Sequence, residues 1–223
     1  YRNVFTIHYP DEEREDARPA KTSAVYEKLS QMGAVWGQRY GWERANWFAP
    51  PGVPRKDAWS FRRSNYFQHV GDECRRMREA VGVIDLTPFT KHEVSGPGAE
   101  GWLDSLVANK VPVKPGRIAL CHAPTKNGGI RSEFTITKFA ANRFYVVSAG
   151  AGERYDSDYL HRMLPGDRSV ELRNVTTSRG TFVVAGPNAR AVLAQLTDAP
   201  LDNASFPWLS GQVIEVGFAT DVY

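Results

Sequence analysis

The chain has 223 residues, of which 42% are hydrophobic and 24% are charged, and this composition predicts a folded protein with a buried core. Its formal net charge is only +3 and no long basic stripe is present, which argues against a nucleic-acid-binding protein. No apolar run approaches the roughly 18 residues of a membrane span, and Cys74 and Cys121 lack the spacing of a disulfide framework or a metal site.

The first sixty residues differ in character from the rest. Residues 22–33 predict a short helix with Thr22 or Ser23 as its N-cap. Residues 33–59 then hold four of the six tryptophans with little regular periodicity, which predicts an irregular, aromatic-rich connector. We expect Trp42, Trp47 and Phe48 to pack against the main domain or to form an exposed apolar patch.

A second helix is predicted around residues 62–79, where apolar residues recur at three- and four-residue spacing and Gly82 supplies a stop signal. Arg75, Arg76 and Arg78 fall mostly on its wet face. They constitute either a solvated face or an anion-binding surface.

An internal repeat follows. The stretches "EVSGPGAEGWLDSLVAN" (93–109) and "VVAGPNARAVLAQLTDA" (183–199) share an apolar strand end, a Gly-Pro pair and equivalent leucines. Glycine permits a sharp exit from a strand, and proline suits the first helical turn. The repeat therefore predicts two strand-to-helix units.

Between these units, "SEFTITKF" and "RFYVVSAG" predict a β-hairpin, and "GERYDSDYLHRMLP" predicts a helix. This order of elements favours an α+β fold with a mostly antiparallel sheet. No P-loop, HExxH or nucleophile elbow is present. The N-terminal stretch is too acidic for a signal peptide, so we expect a reducing, intracellular setting. The final residues resemble an unfinished strand, and we expect the chain to be a piece of a longer protein.

The stretch "NGGIRSEFTIT" (127–137) carries one carboxylate, Glu133, directly after a glycine turn. Alternation places Ile130, Ser132, Phe134 and Ile136 on a core face and Arg131, Glu133, Thr135 and Thr137 on a polar face. Glu133 must then face either water or a ligand. Arg131 is the nearest cation in sequence that would keep Glu133 ionised.

Three stretches, "VGVIDLTPFTKHEVSGPGAEGWLDSLVANKVP", "GRIALCHAPTKNGGIRSEFTIT" and "RFYVVSAG", together resemble the folate-binding domain of the glycine cleavage T-protein (aminomethyltransferase) family. The preceding "YEKLSQMGAVWGQRYGWERANWFAP" is similar to the segment that joins the FAD domain to the folate domain in dimethylglycine and sarcosine dehydrogenases. The resemblance implies that residues 1–60 are the connector and that 61–223 are the N-terminal part of the folate-binding domain.

The resemblance also implies a site. Family members carry an acidic pair after Gly-Gly-Ile-x, and Ser132 and Glu133 stand at those positions, so Glu133 is the expected acid/base residue. Phe89 stands in place of the usual methionine and Leu120 in place of the usual tyrosine. The residues expected to line the folate site are Phe89, Leu120, Gly128, Gly129, Ile130, Arg131, Ser132 and Tyr145, with no metal. Two roles stay open for each of three residues. Tyr145 either faces the folate or packs in the core, Asp85 either faces a ligand or caps the following turn, and His122 is either a catalyst or a structural histidine.

The implied function is capture of an oxidised N-methyl group by tetrahydrofolate, which yields 5,10-methylenetetrahydrofolate. FAD and the N-methylated amine would bind to a domain outside this chain, in the cytoplasm or, in a eukaryote, in the mitochondrial matrix. A free-standing aminomethyltransferase or demethylase and a non-catalytic folate-binding module are the alternatives.

Overall fold

The computed structural model describes residues 5–223. In chain order its elements are α1 (Tyr26–Gln31), β1 (Ala34–Arg39), β2 (Trp42–Phe48), α2 (Phe67–Glu79), β3 (Gly82–Asp85), β4 (Thr90–Ser95), α3 (Ala99–Leu106), β5 (Arg117–Pro124), β6 (Ile130–Ala140), β7 (Arg143–Ser148), α4 (Glu153–Arg162), β8 (Glu171–Asn174), β9 (Phe182–Ala185), α5 (Ala189–Leu193), β10 (Ile214–Val216) and β11 (Ala219–Val222). A 3₁₀ turn, Gly150–Gly152, precedes α4. None of the helices in these residues is long and apolar enough to cross a bilayer.

The described chain forms two compact units. The first runs up to Asp85 and also includes Phe182–Pro187, and the second comprises Leu86–Thr181 with Asn188–Tyr223. Strand pairing is antiparallel in all four sheets of the described residues. This confirms the predicted α+β fold with mostly antiparallel sheets. The domain boundary after residue 60 stays a prediction.

The connector contains a β-hairpin, so the expectation of an irregular segment is wrong for residues 34–48. Strands β1 and β2 pair from Ala34↔Phe48 to Arg39↔Trp42. The turn residues Tyr40 and Gly41 both have positive φ, 56° and 85°, which is the geometry of the tight turns that match strand twist. The hairpin was not predicted because its turn, Tyr40-Gly41, lacks the Asn-Gly or Asp-Gly pair that marks a two-residue turn in a sequence.

The hairpin aromatics pack within the first unit. The Trp47 side chain is 1% exposed and Trp42 is 5% exposed, while Phe48 is half-buried. The Trp47 indole N–H donates to Asp57 Oδ1 at 2.7 Å, and its ring stacks on His69 with centroids 5.4 Å apart. This burial gives the hairpin an apolar anchor.

The two helices of the first unit differ in how well they were predicted. Helix α2 begins five residues later than the predicted 62–79 and ends as predicted, three residues before Gly82, and Arg75, Arg76 and Arg78 are exposed on it. Helix α1 begins later than expected, because Val25 is its N-cap residue and makes no side-chain cap hydrogen bond. The prediction of Thr22 or Ser23 as the N-cap is therefore wrong.

The second unit is built on a five-stranded sheet of order β5-β6-β7-β4-β8. Helices α3 and α4 contribute to the core that this sheet supports. Its buried side chains include Trp102 and Leu103 from α3, Leu160 from α4, and Phe134 and Phe144 from the predicted hairpin. The hairpin β6–β7 closes at Ala140↔Arg143, which confirms the predicted β-hairpin.

Both Gly-Pro pairs occur between a strand and a helix, which confirms the local repeat. Gly96 has φ 112° and Gly186 has φ 121°, a left-handed conformation that side chains with a Cβ rarely adopt. The strands of the two strand-to-helix elements nevertheless lie in different sheets. Strand β4 belongs to the five-stranded sheet, and β9 pairs with β3 in a two-stranded sheet. The repeat thus describes local geometry and not a shared sheet.

Candidate functional site

A pocket of about 260 Å³ opens in the second unit beside the start of β6. Its lining combines ends of β6 and β7 with the first turns of α4. The lining residues are Phe89, Arg131, Ser132, Glu133, Thr135, Val147, Ser148, Ala149, Gly152, Tyr155 and Asp156. Four residues predicted for the site are therefore brought together here: Phe89, Arg131, Ser132 and Glu133.

The glycine turn before β6 is shaped by hydrogen bonds that centre on Thr125. Its backbone N–H donates to the Gly129 carbonyl at 2.7 Å, its carbonyl accepts from Gly128 N–H at 3.0 Å, and its hydroxyl oxygen accepts from Gly129 N–H at 3.0 Å. Gly128 adopts φ 80°, and a Cβ placed there would meet open space. The turn thus needs glycine for its backbone conformation. It directs the chain into β6.

Five of the predicted site residues lie outside the lining that the described residues form. Leu120 is on β5 and is 46% exposed, and Gly128, Gly129 and Ile130 belong to the exposed turn and the strand start. Ile130 is 68% exposed, so the prediction that it belongs to the core face is wrong. The sheet core begins further along β6, at Phe134 and Ile136, which are 1% and 0% exposed.

Tyr145 lies in a separate aromatic cluster. Its ring is 6.1 Å from that of Phe139 and 5.4 Å from that of Tyr223. Burial raises the pKa of its hydroxyl to about 12. The residue is therefore a neutral aromatic packed on the sheet, and the pocket lining in the described chain does not include it.

Glu133 projects from β6 into the pocket and is held by a histidine. Its side chain is 59% exposed, and Oε2 lies 3.0 Å from His122 Nε2 on the paired strand β5. An exposed pair of this kind contributes at most about 1 kcal/mol to stability. The contact with His122 orients the Glu133 carboxylate, because it occupies one oxygen and leaves the other available to a ligand.

Arg131 has a different partner from the one predicted. Its guanidinium lies 4.0 Å from the ring centroid of Tyr155 and 4.4 Å from that of Tyr159, both on α4. Stacking on two aromatic faces holds the cation against the helix. Its Nε is buried and has no hydrogen-bond partner among the described residues. The cationic wall of the pocket thus retains one unused donor.

Asp156 is the site residue that the sequence did not single out. It is 3% exposed, and its oxygens accept hydrogen bonds from the Ser132 hydroxyl at 2.5 Å and from the Ser148 hydroxyl at 2.7 Å. A carboxylate thus lies next to Ser132, where the strand itself lacks the second acid of the expected pair. A signal existed, because Asp156 precedes the buried Leu160 by four residues and so shares its helix face.

His92 is a buried histidine of the same unit. Its Nε2 lies 2.9 Å from Ser157 Oγ, and its Nδ1 has no partner among the described residues. Burial lowers its pKa to about 4, chiefly because the charged imidazolium would lose its hydration. His92 is therefore a neutral core residue at physiological pH. No group of three or more metal-ligating side chains is found in residues 5–223.

Comparison with known proteins shows a consistent set of relatives. Residues 25–222 match the family model described as the GCVT N-terminal domain. Dimethylglycine dehydrogenase of Rattus norvegicus is 34% identical over 94% of this chain and 24% of its own length. The pyruvate dehydrogenase phosphatase regulatory subunit of Mus musculus is 28% identical over 98% of this chain and 26% of its own length. The chain thus spans about a quarter of the length of these two relatives.

A solved structure has the same fold. The glycine cleavage system aminomethyltransferase T from Bartonella henselae matches with a TM-score of 0.69 and 22% sequence identity. The match covers 86% of this chain and 47% of that one. At this identity the comparison establishes the fold, and it agrees with the antiparallel α+β architecture described above.

Proposed function

The chain belongs to the GCVT N-terminal domain family, as its motifs predicted, and on this premise we propose that it is the tetrahydrofolate-binding part of an FAD-dependent N-methylamine dehydrogenase. The observation that carries the proposal is the pocket at the start of β6. It brings a solvent-accessible carboxylate, Glu133, together with the apolar ring of Phe89 and the guanidinium of Arg131. A flat, nitrogen-rich ring with a proton to lose fits this set of groups.

The reaction requires little covalent chemistry from the protein. Oxidation of an N-methylamine yields an iminium ion, and two tetrahydrofolate nitrogens attack its methylene carbon. The products are 5,10-methylenetetrahydrofolate, the free amine and one proton. If the iminium is first hydrolysed, formaldehyde reacts with tetrahydrofolate in the same way and water is released. FAD would supply the oxidation step from a domain other than the residues described here.

Glu133 would accept the proton that leaves the folate nitrogen. His122 fixes one carboxylate oxygen at 3.0 Å, so the other oxygen is the candidate base. A positioned general base typically accelerates such a step by about 10²–10⁴-fold. The negative charge of the carboxylate would also stabilise the passing iminium cation.

The pocket size limits what it can hold. Its volume of about 260 Å³ lies just under the about 300–1,000 Å³ of pockets that bury a drug-sized ligand. We therefore place the reduced pteridine ring in it and the remainder of folate outside.

Since the rat relative is named a mitochondrial protein, we propose the matrix for a eukaryotic form of this protein and the cytoplasm otherwise.

Two other functions have specific support. The fold of the Bartonella henselae aminomethyltransferase favours a free-standing aminomethyltransferase or demethylase. The relative named as a regulatory subunit, together with Ser132 at an expected acidic position, favours a non-catalytic folate-binding module.

Measuring three quantities on the full-length protein separates these functions. They are tetrahydrofolate affinity by anaerobic calorimetry, oxidation of N-methylated amines, and the yield of methylenetetrahydrofolate. All three activities are expected for the dehydrogenase. Binding and transfer without amine oxidation would support the aminomethyltransferase, and binding alone would support the module. Absence of tetrahydrofolate binding would refute all three.

A further inference from the structure

The polar floor of the pocket is organised by one buried carboxylate. Asp156 is 3% exposed, and its two oxygens accept from two different hydroxyls, Ser132 at 2.5 Å and Ser148 at 2.7 Å. The serines come from the neighbouring strands β6 and β7, and both line the pocket. Asp156 therefore joins two strands and a helix at the pocket.

A third side of this carboxylate is closed by backbone. A Cβ added at Gly152 would lie 2.6 Å from Asp156 Oδ2, so the helix start approaches the carboxylate as closely as a glycine allows. The carboxylate thus has little freedom to rotate away from the serines. Its geometry determines the orientation of both hydroxyl hydrogens.

That orientation has a chemical consequence. A serine hydroxyl has one hydrogen to donate and lone pairs to accept with. Because Ser132 and Ser148 each donate their hydrogen to Asp156, each can offer only an acceptor to the pocket. The floor then accepts hydrogen bonds from ligand N–H groups and repels ligand lone pairs.

We propose that Asp156 is a specificity-determining positioning residue, which makes the pocket select the reduced pteridine ring over the oxidised one. This inference rests on the proposed folate function and extends it. A tetrahydropteridine carries N–H donors at N5 and N8, whereas the oxidised ring of folic acid has bare nitrogen acceptors at both places. An acceptor-only floor pairs with the first ring and opposes the second.

The role differs from that of Glu133. Glu133 is exposed and accepts the proton of the reaction, whereas Asp156 is buried and acts through the serines. A change at Asp156 should therefore alter which folate binds, while a change at Glu133 should alter the rate of transfer. The two residues can be separated by measuring affinity for two ligands.

The test uses the full-length protein and the dissociation constants of tetrahydrofolate and folic acid, measured anaerobically by calorimetry. In Asp156→Asn the amide N–H must donate to one serine, whose own hydrogen then turns toward the pocket. We expect the preference for tetrahydrofolate to fall about 3- to 10-fold, the equivalent of one hydrogen bond. Asp158→Asn is the matched control, since Asp158 lies on the same helix in an exposed ion pair with Arg162.

A second variant guards against misfolding of the first. Ser132→Ala removes one acceptor and leaves Asp156 in place, so tetrahydrofolate affinity should fall about 3- to 10-fold while folic acid affinity stays within about 2-fold. If the wild-type protein prefers tetrahydrofolate and both variants keep that preference, or if the two affinities fall equally in both, the inference is overturned. If the wild-type protein binds neither folate, the proposed function itself fails.

Discussion

Replacing Glu133 by glutamine tests the proposed chemistry most directly. The substitution keeps the size of the side chain and its ability to contact His122, and it removes the proton-accepting carboxylate. Because the residue is 59% exposed and its contact with His122 is solvated, the free energy of unfolding should change by less than about 1 kcal/mol. Any large loss of activity would then come from the site and not from the fold.

The expected loss is about 10²-fold in the rate of methylene transfer. General acid–base catalysis typically contributes about 10²–10⁴-fold, and we take the lower end because water can reach an exposed carboxylate and replace part of its function. Tetrahydrofolate affinity should stay within a few-fold, because Phe89 and Arg131, which line the pocket and are proposed to contact the ring, remain. Amine oxidation should continue and release free formaldehyde.

The assay follows methylenetetrahydrofolate and formaldehyde in the same reaction of the full-length protein. Glu171→Gln is the matched control, since Glu171 is an exposed glutamate on β8 of the same sheet. A yield of methylenetetrahydrofolate in Glu133→Gln equal to that of the wild type would refute the reasoning and make Glu133 a solvated strand residue. Loss of tetrahydrofolate binding in that variant would instead assign Glu133 to ligand recognition.

Three further predictions concern stability. His92 has a folded-state pKa of about 4 against an ordinary 6.5, so its contribution to the free energy of unfolding is complete above pH 6.5 and is lost as the pH falls toward 4, by up to about 3 kcal/mol. Chemical denaturation at several pH values should show this dependence of stability on pH in the wild type and a weaker one in His92→Gln. Equal dependences in the two proteins would contradict the prediction. Gly96→Ala should destabilise the second unit by more than about 1 kcal/mol in thermal melts, because φ is 112° and the new Cβ would lie 2.3 Å from the Ser169 carbonyl oxygen. Its control is Gly101→Ala on α3, where the new Cβ meets open space, and this variant should be neutral or stabilising by up to about 1 kcal/mol. Trp47→Ala should cost about 3–5 kcal/mol, because the ring is 1% exposed and its indole donates a hydrogen bond, and an unchanged denaturation midpoint would show that the hairpin does not depend on it.

Local patterns in the sequence predicted several elements of both units. Two-residue alternation identified β6 and β7, helical spacing identified α2 and α4, and the Gly-Pro pairs marked both strand-to-helix exits. These signals act over about 4–18 neighbouring residues, so they can be read without knowing the rest of the fold. They failed at Ile130, which alternation assigned to the core face and which is 68% exposed, and at Thr137, which it assigned to the polar face and which is 8% exposed.

The candidate site likewise has residues that the sequence predicted and contacts that only the tertiary structure decided. The glycine turn and the resemblance to a known family pointed to Glu133, Arg131 and Ser132 from the sequence alone, and the structure places all three on one pocket. Their partners depended on tertiary structure: Glu133 contacts His122 across paired strands, and Arg131 stacks on α4 instead of pairing with Glu133. Asp156 meets Ser132 across 24 residues of chain, because α4 packs on the sheet at the point where β6 and β7 lie side by side. Periodicity specifies the face on which a side chain lies, but only the packing of helix on sheet decides which two faces meet.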